Sequence, residues 1–437
     1  MQTARTPGLP RVVIVGGGFG GLRVAQALRK AKVSVTLLDR QNYHLFQPLL
    51  YQVATGGLSP ANIATPLRYI LRKQLNCEVL LAEVRDFDPT NQRVILVDGE
   101  LEYDYLVVAA GSTHSYFGHH SWQAVAPGLK TIAEAADIRS RIFLAFEAAE
   151  REPDPSRWRE LLTFVVVGAG ATGVELAGAL AEIANQTLRN DFRRINPEDA
   201  HILLIEAGPR VLANYSESLS KKAEDSIRKL GIDLRLGTKV VEIGEDHIGL
   251  EDAQGPQDIR TRTVLWAAGV QASPLGRSLA EGCQVACDRS GRVPVEPNLS
   301  VLGHPNVFVI GDLAACPGAN GKPLPGVAPV AIQQGAFVAD WLAKRAAGKP
   351  TPTAFAYRDR GSMATIGRAA AVAQIGKRRF TGFFAWIMWL LVHLMLIVQF
   401  QNRVMVLMQW AWYYLTFNRS ARLITTRPDR EAPKGPV

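Results

Sequence analysis

Two stretches of this chain repeat one layout about 150 residues apart, and that repeat limits the possible folds more than any other feature. RVVIVGGGFGGLRVAQAL runs from Arg11 to Leu28 and LTFVVVGAGATGVELAGAL from Leu162 to Leu180. Each is an apolar, β-branched run, then Gly-x-Gly-x-x-Gly, then a stretch with small residues at helix-packing positions. The glycines are Gly16, Gly18 and Gly21 in one copy and Gly168, Gly170 and Gly173 in the other. The first glycine permits the tight turn, the second lets the backbone approach a pyrophosphate, and the third lets helix pack on strand. Each turn is followed by an apolar strand ending in an acid, Asp39 and Glu206, placed to accept from a ribose hydroxyl. Asp39 comes 23 residues after its leading glycine but Glu206 comes 38 after, so an insertion around Asn185 to Asp199 must lengthen the second crossover.

Two such sites imply two dinucleotides face to face. A hydride carrier and a flavin are the natural pair, since hydride transfer needs stacked rings. LEYDYLVVAAGS (Leu101 to Ser112) and TRTVLWAAGVQASP (Thr261 to Pro274) each read as a strand ending in a small-residue turn, Ala110-Gly111 and Ala268-Gly269. NVFVIGDLAAC (Asn306 to Cys316) gives a buried strand ending in Gly311-Asp312. A carboxylate there suits either a ribityl chain or the N-cap of a following helix.

At 437 residues two or three domains are expected. The net charge of +9 fits nucleic acid, anionic lipid or an anionic cofactor. No run of Lys and Arg interleaved with aromatics appears in the body, so no nucleic-acid partner is expected. The cysteines, Cys77, Cys283, Cys287 and Cys316, form no Cys-x-x-Cys pair, which argues against a redox dithiol or a metal site. The N-terminus has no apolar core of a secretory signal, so the body is expected in the cytosol.

The order of these motifs resembles the two-dinucleotide-binding-domain flavoproteins, in which the first site holds FAD, the second holds NAD(P)H and Gly-Asp contacts the flavin ribityl. Without the cysteine pair of the disulfide reductases, electrons should pass directly to an outside acceptor. YHLFQPLLYQVATGGLSPANIATPLR (Tyr43 to Arg68), GATGVELAGAL, VLWAAGVQASP, SMATIGR (Ser362 to Arg368) and WAWYYLTFNRSARLIT resemble type II NADH:quinone oxidoreductases from about Arg11 to Thr425.

That resemblance implies an α/β fold of two Rossmann-like domains, the second nested in the first. Its expected parts are an FAD domain (1–112 and 290–375), an NADH domain (113–289) and a membrane-anchoring segment (376–437). Non-covalent FAD would lie on Gly16, Gly18, Phe19, Gly20, Gly21, Asp39, Arg40, Ala110, Gly111 and Asp312, with the Val84 backbone beside the adenine. NADH would lie on Gly168, Gly170, Ala171, Thr172, Gly173, Glu206, Ala268 and Gly269. A carboxylate at Glu206 repels a 2′-phosphate and favours NADH, a preference Arg210 could soften. Glu175 would face the nicotinamide and flavin and relay protons, although an acid there also complements the helix dipole.

The family often shows Ala-Gln-x-Ala-x-Gln-Gln near the quinone. APVAIQQG (Ala328 to Gly335) retains Gln333 and Gln334, expected as catalytic, but puts Pro329 at the earlier glutamine. The implied reaction passes a hydride from NADH to FAD and two electrons to a ubiquinone, menaquinone or plastoquinone type of quinone, without proton pumping. The alternatives are an NADPH-preferring reductase of menaquinone- or phylloquinone-type quinones, a sulfide:quinone oxidoreductase, or an NADH-binding flavoprotein like the apoptosis-inducing factors. A homodimer is expected.

GFFAWIMWLLVHLMLIVQF (Gly382 to Phe400) looks at first like a membrane span. Its apolar run, Phe383 to Val398, gives roughly 24 Å of helix, and the next, Val404 to Phe417, roughly 21 Å, both short of a ~30 Å bilayer core. Lys377, Arg378, Arg379, Arg403, Arg419, Arg422 and Arg427 flank the breaks. Trp386, Trp389, Trp410, Trp412, Tyr413 and Tyr414 suit the headgroup level. The tail is expected to lie in the plane of an anionic membrane surface, on the cytoplasmic face of the cell membrane, with one face in lipid and the other packed on the body. A short hairpin or span and a wholly protein-buried helix or dimer contact are the alternatives.

Overall fold

The computed structural model describes residues 8–318 and 321–425. Its described residues fall into two compact units, residues 8–45, 64–113 and 270–360 in the first and residues 46–63, 114–269 and 361–425 in the second.

In the first unit the fingerprint strand Arg11–Val15 lies inside a six-stranded sheet, ordered Ser300–Val301, His304–Val309, Tyr105–Val108, Arg11–Val15, Ser34–Asp39, Cys77–Leu81. All its pairings are parallel except the edge pair of Ser300–Val301 with His304–Val309. Val12, Ile14, Leu37, Leu106 and Phe308 are fully buried, as a parallel sheet covered on both faces requires. In the second unit Thr163–Val167 lies in a four-stranded parallel sheet, ordered Asp233–Leu236, His201–Glu206, Thr163–Val167, Thr263–Trp266. In both sheets the fingerprint strand stands between the strand that ends in the acid and the strand that ends in a small-residue turn. The internal repeat of the sequence is therefore a repeat of topology. A three-stranded antiparallel meander accompanies each sheet, Val84–Asp88, Arg93–Leu96 and Gly99–Glu102 in the first unit and Lys239–Ile243, His247–Asp252 and Gly255–Arg260 in the second.

The long second crossover is also visible. The helix Ala171–Glu182 continues through a π-helical turn, Ile183–Thr187, before the loop that leads to His201–Glu206. The Glu150 carboxylate gathers the loop by accepting from the backbone N–H groups of Arg193, Arg194 and Ile195 at 3.0–3.2 Å.

The units divide the chain differently from the boundaries expected from sequence. Residues 46–63 leave the first unit because the helix Leu50–Ala54 packs on Ile132–Arg151 and Ala171–Glu182. Residues 361–425 form no separate body. Their meander, Ser362–Thr365, Ala371–Ile375 and Arg378–Thr381, packs on Ala171–Glu182, where Gly178 lets the Gly367 backbone approach. A Cβ on Gly178 would stand 2.7 Å from the Gly367 nitrogen. Two helices follow, Gly382–Leu396 and Phe400–Thr416, and Ala385 of the first is fully buried against Ala371 and Ala373. At about 22 and 26 Å these helices fall short of a ~30 Å hydrocarbon core, and no described helix is long and apolar enough to cross a membrane.

Candidate functional site

The two glycine turns are built alike to a few degrees. Gly16 and Gly168 open them at φ +102 and +99°, a conformation that L side chains rarely adopt. A Cβ on Gly21 would stand 1.8 Å from the Gly16 oxygen, and one on Gly173 would stand 1.8 Å from the Gly168 oxygen. The third glycine of each copy is therefore required by the fold itself. The second glycines differ. Gly18 and Gly170 are exposed, sit at the N-caps of their helices and would meet nothing within 4 Å of a Cβ. Nothing in the fold excludes a side chain there, and the open backbone at a helix N-terminus fits a pyrophosphate.

The acids lock the turns. Asp39 Oδ2 accepts from the Gly17 N–H at 2.5 Å and Oδ1 from the Gln41 N–H at 2.7 Å. Burial pushes the Asp39 carboxyl up, and those two N–H groups with Arg40 offset part of the effect. Glu206 repeats the arrangement, with Oε2 on the Ala169 N–H at 2.8 Å and Oε1 on the Gly208 N–H at 2.7 Å. Arg210 is committed elsewhere, donating to the carbonyls of Tyr215 at 2.9 Å and Ala213 at 2.7 Å. Its guanidinium is thereby held by main chain.

Around the first turn, Phe19 meets His44 edge to face at 5.2 Å, and His44 Nδ1 lies 3.0 Å from the Gly17 oxygen. Arg40 is exposed, Val84 begins a strand, and Ala110-Gly111 follows Tyr105–Val108 with Gly111 at φ +66°. Asp312 does not cap a helix. Ile310 occupies the N-cap of the short helix Gly311–Leu313, while Asp312 Oδ2 accepts from Ser112 Oγ at 2.6 Å. In the second unit Ala171 and Thr172 are exposed at the helix start. Ala268 stands beside Gly168, and Gly269 turns at φ +74° against the Phe117 ring.

Gln333 and Gln334 lie in the first unit and hold backbone. Gln333 exchanges hydrogen bonds with the Arg358 main chain at 2.9 and 3.0 Å. Gln334 is fully buried, and its Oε1 accepts from the Gly311 N–H at 2.7 Å, bracing the turn that carries Asp312. Pro329 sits in the first turn of the helix Ala328–Ala346, where a missing N–H costs no helical bond.

The second unit contains a pocket open to solvent, and Gln333 and Gln334 do not line it. Glu175, Ala179 and Glu182 face it from the helix Ala171–Glu182, at the four- and three-residue spacing of one helix face. Tyr51 and Gln52 come from Leu50–Ala54, and Thr365, Gly367 and Arg368 from the meander. The tail closes the cavity with Trp386, Trp389, Trp410, Tyr413, Tyr414 and Arg419. Thr365 N–H donates to Glu175 Oε1 at 3.3 Å. Burial pushes Glu175 up to about 8, against the opposing pull of Thr365 and Trp389.

The tail's aromatics and cations thus take places that their composition did not predict. Five of the six aromatics expected at a lipid surface line the cavity, Trp389 only 3% exposed, and Trp412 alone is largely exposed at 59%. Arg419 is buried and paired with Glu182 at 2.7 Å, and Arg422 pairs with Asp191 at 2.5 Å. Arg368 lies between the rings of Tyr414 and Phe417, 4.1 and 4.0 Å from their centroids. Aromatics and arginines suit a cavity wall as well as a headgroup layer. Arg427 lies outside the described residues. Most outward side chains are aliphatic or phenyl, with Phe383, Phe384, Met395, Phe400, Met408 and Leu415 between 55 and 78% exposed and Trp412 among them.

Sequence reading missed Tyr51, Glu182 and Arg419 as site residues. Glu182 carried a signal, an acid seven residues beyond Glu175 on an otherwise apolar helix. Arg419 carried none apart from its charge. The four cysteines all belong to the first unit and are unpaired, and burial pushes Cys77 up to about 12 and Cys283 to about 11.

Two sequence families match this arrangement. Pyridine nucleotide-disulphide oxidoreductase matches residues 10–335, and the NDH2 C-terminal domain matches residues 360–419. The type II NADH:quinone oxidoreductase Ndh of Mycobacterium tuberculosis (strain ATCC 25618 / H37Rv) is 45% identical over 430 residues, covering 97% of this chain and 92% of that protein. The external NADH-ubiquinone oxidoreductase 2, mitochondrial, of Saccharomyces cerevisiae (strain ATCC 204508 / S288c) is 30% identical over 458 residues, covering 94% and 83%. Among solved structures, NDH2 from Plasmodium falciparum in complex with NADH superposes with a TM-score of 0.85 at 18% identity, covering 95% of this chain and 100% of that one. The sulfide:quinone oxidoreductase of Aquifex aeolicus shares the fold with a TM-score of 0.71 at 19% identity, covering 95% and 93%. By this likeness across nearly its whole length, the chain belongs to the type II NADH:quinone oxidoreductase family.

Proposed function

We propose that the protein oxidises NADH and reduces a membrane quinone through non-covalently bound FAD, without pumping protons, while its tail lies in the plane of an anionic membrane surface on the cytoplasmic side. One observation carries this reading. The helix that starts at the second nucleotide turn also delivers Glu175 into an aromatic-walled cavity closed by the tail.

FAD is the expected occupant of the first turn, with Gly18 leaving backbone open to its pyrophosphate and Asp39 and Asp312 as acceptors for its sugar and ribityl hydroxyls. NADH is the expected occupant of the second turn, at Gly170, with Glu206 as the ribose acceptor. When bound, FAD supplies a two-electron carrier between a hydride donor and the quinone. Reducing a quinone with NADH consumes one proton from outside the pair, and Glu175, protonated at neutral pH, can hold it. Trp389, whose buried indole N–H faces the Glu175 carboxyl, is a donor in the same wall and suited to a quinone carbonyl. The buried, high-pKa thiols weigh against the sulfide-oxidising alternative. The outward Phe, Leu and Met side chains of the two short tail helices support insertion to headgroup depth rather than crossing.

The deciding measurement is oxidation of NADH and NADPH by the purified flavoprotein with short-chain ubiquinone and menaquinone analogues. NADH-dependent turnover with at least one quinone is expected, and NADPH should serve much less well. Absence of quinone-dependent turnover with either donor would refute the proposal.

A further inference from the structure

The charged pair Glu182–Arg419 is buried in the wall of the cavity, with side chains 10% and 4% exposed. Arg419 Nη2 donates to Glu182 Oε2 at 2.7 Å and to Tyr413 Oη at 3.0 Å, and Tyr413 in turn donates to the same carboxylate oxygen. Its other arm, Nη1, donates to Thr55 Oγ1 at 2.9 Å and to the Thr55 carbonyl at 3.2 Å. One guanidinium thus holds the C-terminal ends of two helices, Leu50–Ala54 and Ala171–Glu182.

Both helices carry polar groups of the cavity farther up. Thr55 Oγ1 donates to the Tyr51 carbonyl, one turn back, at 2.8 Å. Tyr51 Oη lies 3.2 Å from Thr365 Oγ1, and Thr365 N–H donates to Glu175 Oε1 at 3.3 Å. Glu175 is seven residues, or about 10 Å of helix, before Glu182. The contacts close into a circuit, from Arg419 through Thr55, Tyr51 and Thr365 to Glu175, and along the helix to Glu182 and Arg419 again.

Stability alone does not account for this circuit. Well-packed apolar residues commonly serve as well as a buried ion pair or better, and this pair leaves Glu182 Oε1 and Arg419 Nε without hydrogen-bond partners. We propose that Arg419 is a positioning residue for quinone reduction, fixing Glu175 and Tyr51 in the cavity wall through Glu182 and Thr55. This rests on the reading of the cavity as the quinone site. Tyr51 and Tyr215 are the titratable groups that respond to Glu175, Glu182 acts on Tyr51, and Arg419 and Tyr413 bond to Glu182.

The test compares wild type with the apolar pair E182L/R419L and with R419K, which keeps the charge but loses the two-armed reach. Two quantities are read. One is the ratio of quinone turnover to ferricyanide turnover, with KM and kcat resolved. The other is the pH midpoint of the Glu175 carboxyl infrared band, assigned with E175Q. In E182L/R419L a thermal midpoint close to wild type is expected, with the ratio roughly ten-fold lower, the quinone KM raised, and the band midpoint lower by about one pH unit as water reaches the carboxyl. R419K should move both quantities in the same direction by a smaller amount. A ratio and a band midpoint at wild-type values in R419K overturn the proposal, even if the double variant does not fold. If wild type itself reduces no quinone, the functional reading fails, and an unmoved infrared band still decides against the circuit.

Discussion

At neutral pH Glu175 keeps its proton, because burial in the cavity wall outweighs the hydrogen bond from Thr365 and the pull of Trp389. Its carboxyl ionises near 8 in the fold against an ordinary 4.5, so the folded protein holds this proton more tightly than the unfolded chain. The resulting stabilisation is complete below about 4.5 and is lost as pH rises through about 8. Thermal midpoints across pH 5 to 8.5 should therefore fall in wild type and fall less in E175Q, which has no proton to lose. The same proton makes Glu175 a donor, so E175Q should lower quinone turnover by roughly 10²-fold. In wild type, quinone turnover should decline as pH rises through about 8, whereas ferricyanide turnover, which takes up electrons alone, should not follow that limb.

At the scale of an element, the two glycine turns separate what the fold needs from what a ligand needs. G173A places a Cβ on the Gly168 carbonyl, and the helix must move away from its strand. G170A meets no protein atom. Thermal denaturation should therefore find G173A destabilised by a few kcal/mol and G170A close to wild type. Stopped-flow reduction by NADH should find G170A weakened in nucleotide binding all the same. These turns were legible in the sequence because their requirements are local, a strand, three glycines at fixed spacing and an acid at the end of the next strand. The Glu182–Arg419 pair was not legible, since its partners lie 237 residues apart and neither breaks a local pattern. Gln333 and Gln334 show a further limit. Their motif pointed to the quinone, while their amides hold the backbone of Arg358 and Gly311.

For the whole molecule, the sequence foretold the duplicated architecture and a tail with one face on the body, but not which side chains make up that face. The apolar count of Gly382–Leu396 and Phe400–Thr416 carried no information about direction. In the structure the aromatic residues with polar edges, Trp412 apart, turn inward, and phenyl, leucyl and methionyl side chains turn outward. Replacing outward residues, as in M408K/L415K, should reduce sedimentation with anionic liposomes at least several-fold, and salt should weaken what binding remains.

The division of the tail into two faces bears on how such an enzyme can be handled and altered. The same 35 residues are at once a chamber wall and a hull. Under the proposed anchoring, changes to the hull trade membrane for detergent or water, residue by residue, at positions such as Met408 and Leu415. Changes to the wall cannot be traded in that way, because Trp386, Trp389, Trp410 and Tyr414 have no substitute elsewhere in the cavity lining. A water-soluble form of this enzyme should therefore be sought by rewriting the outer face with the tail kept whole, since cutting the tail away would take the chamber with it.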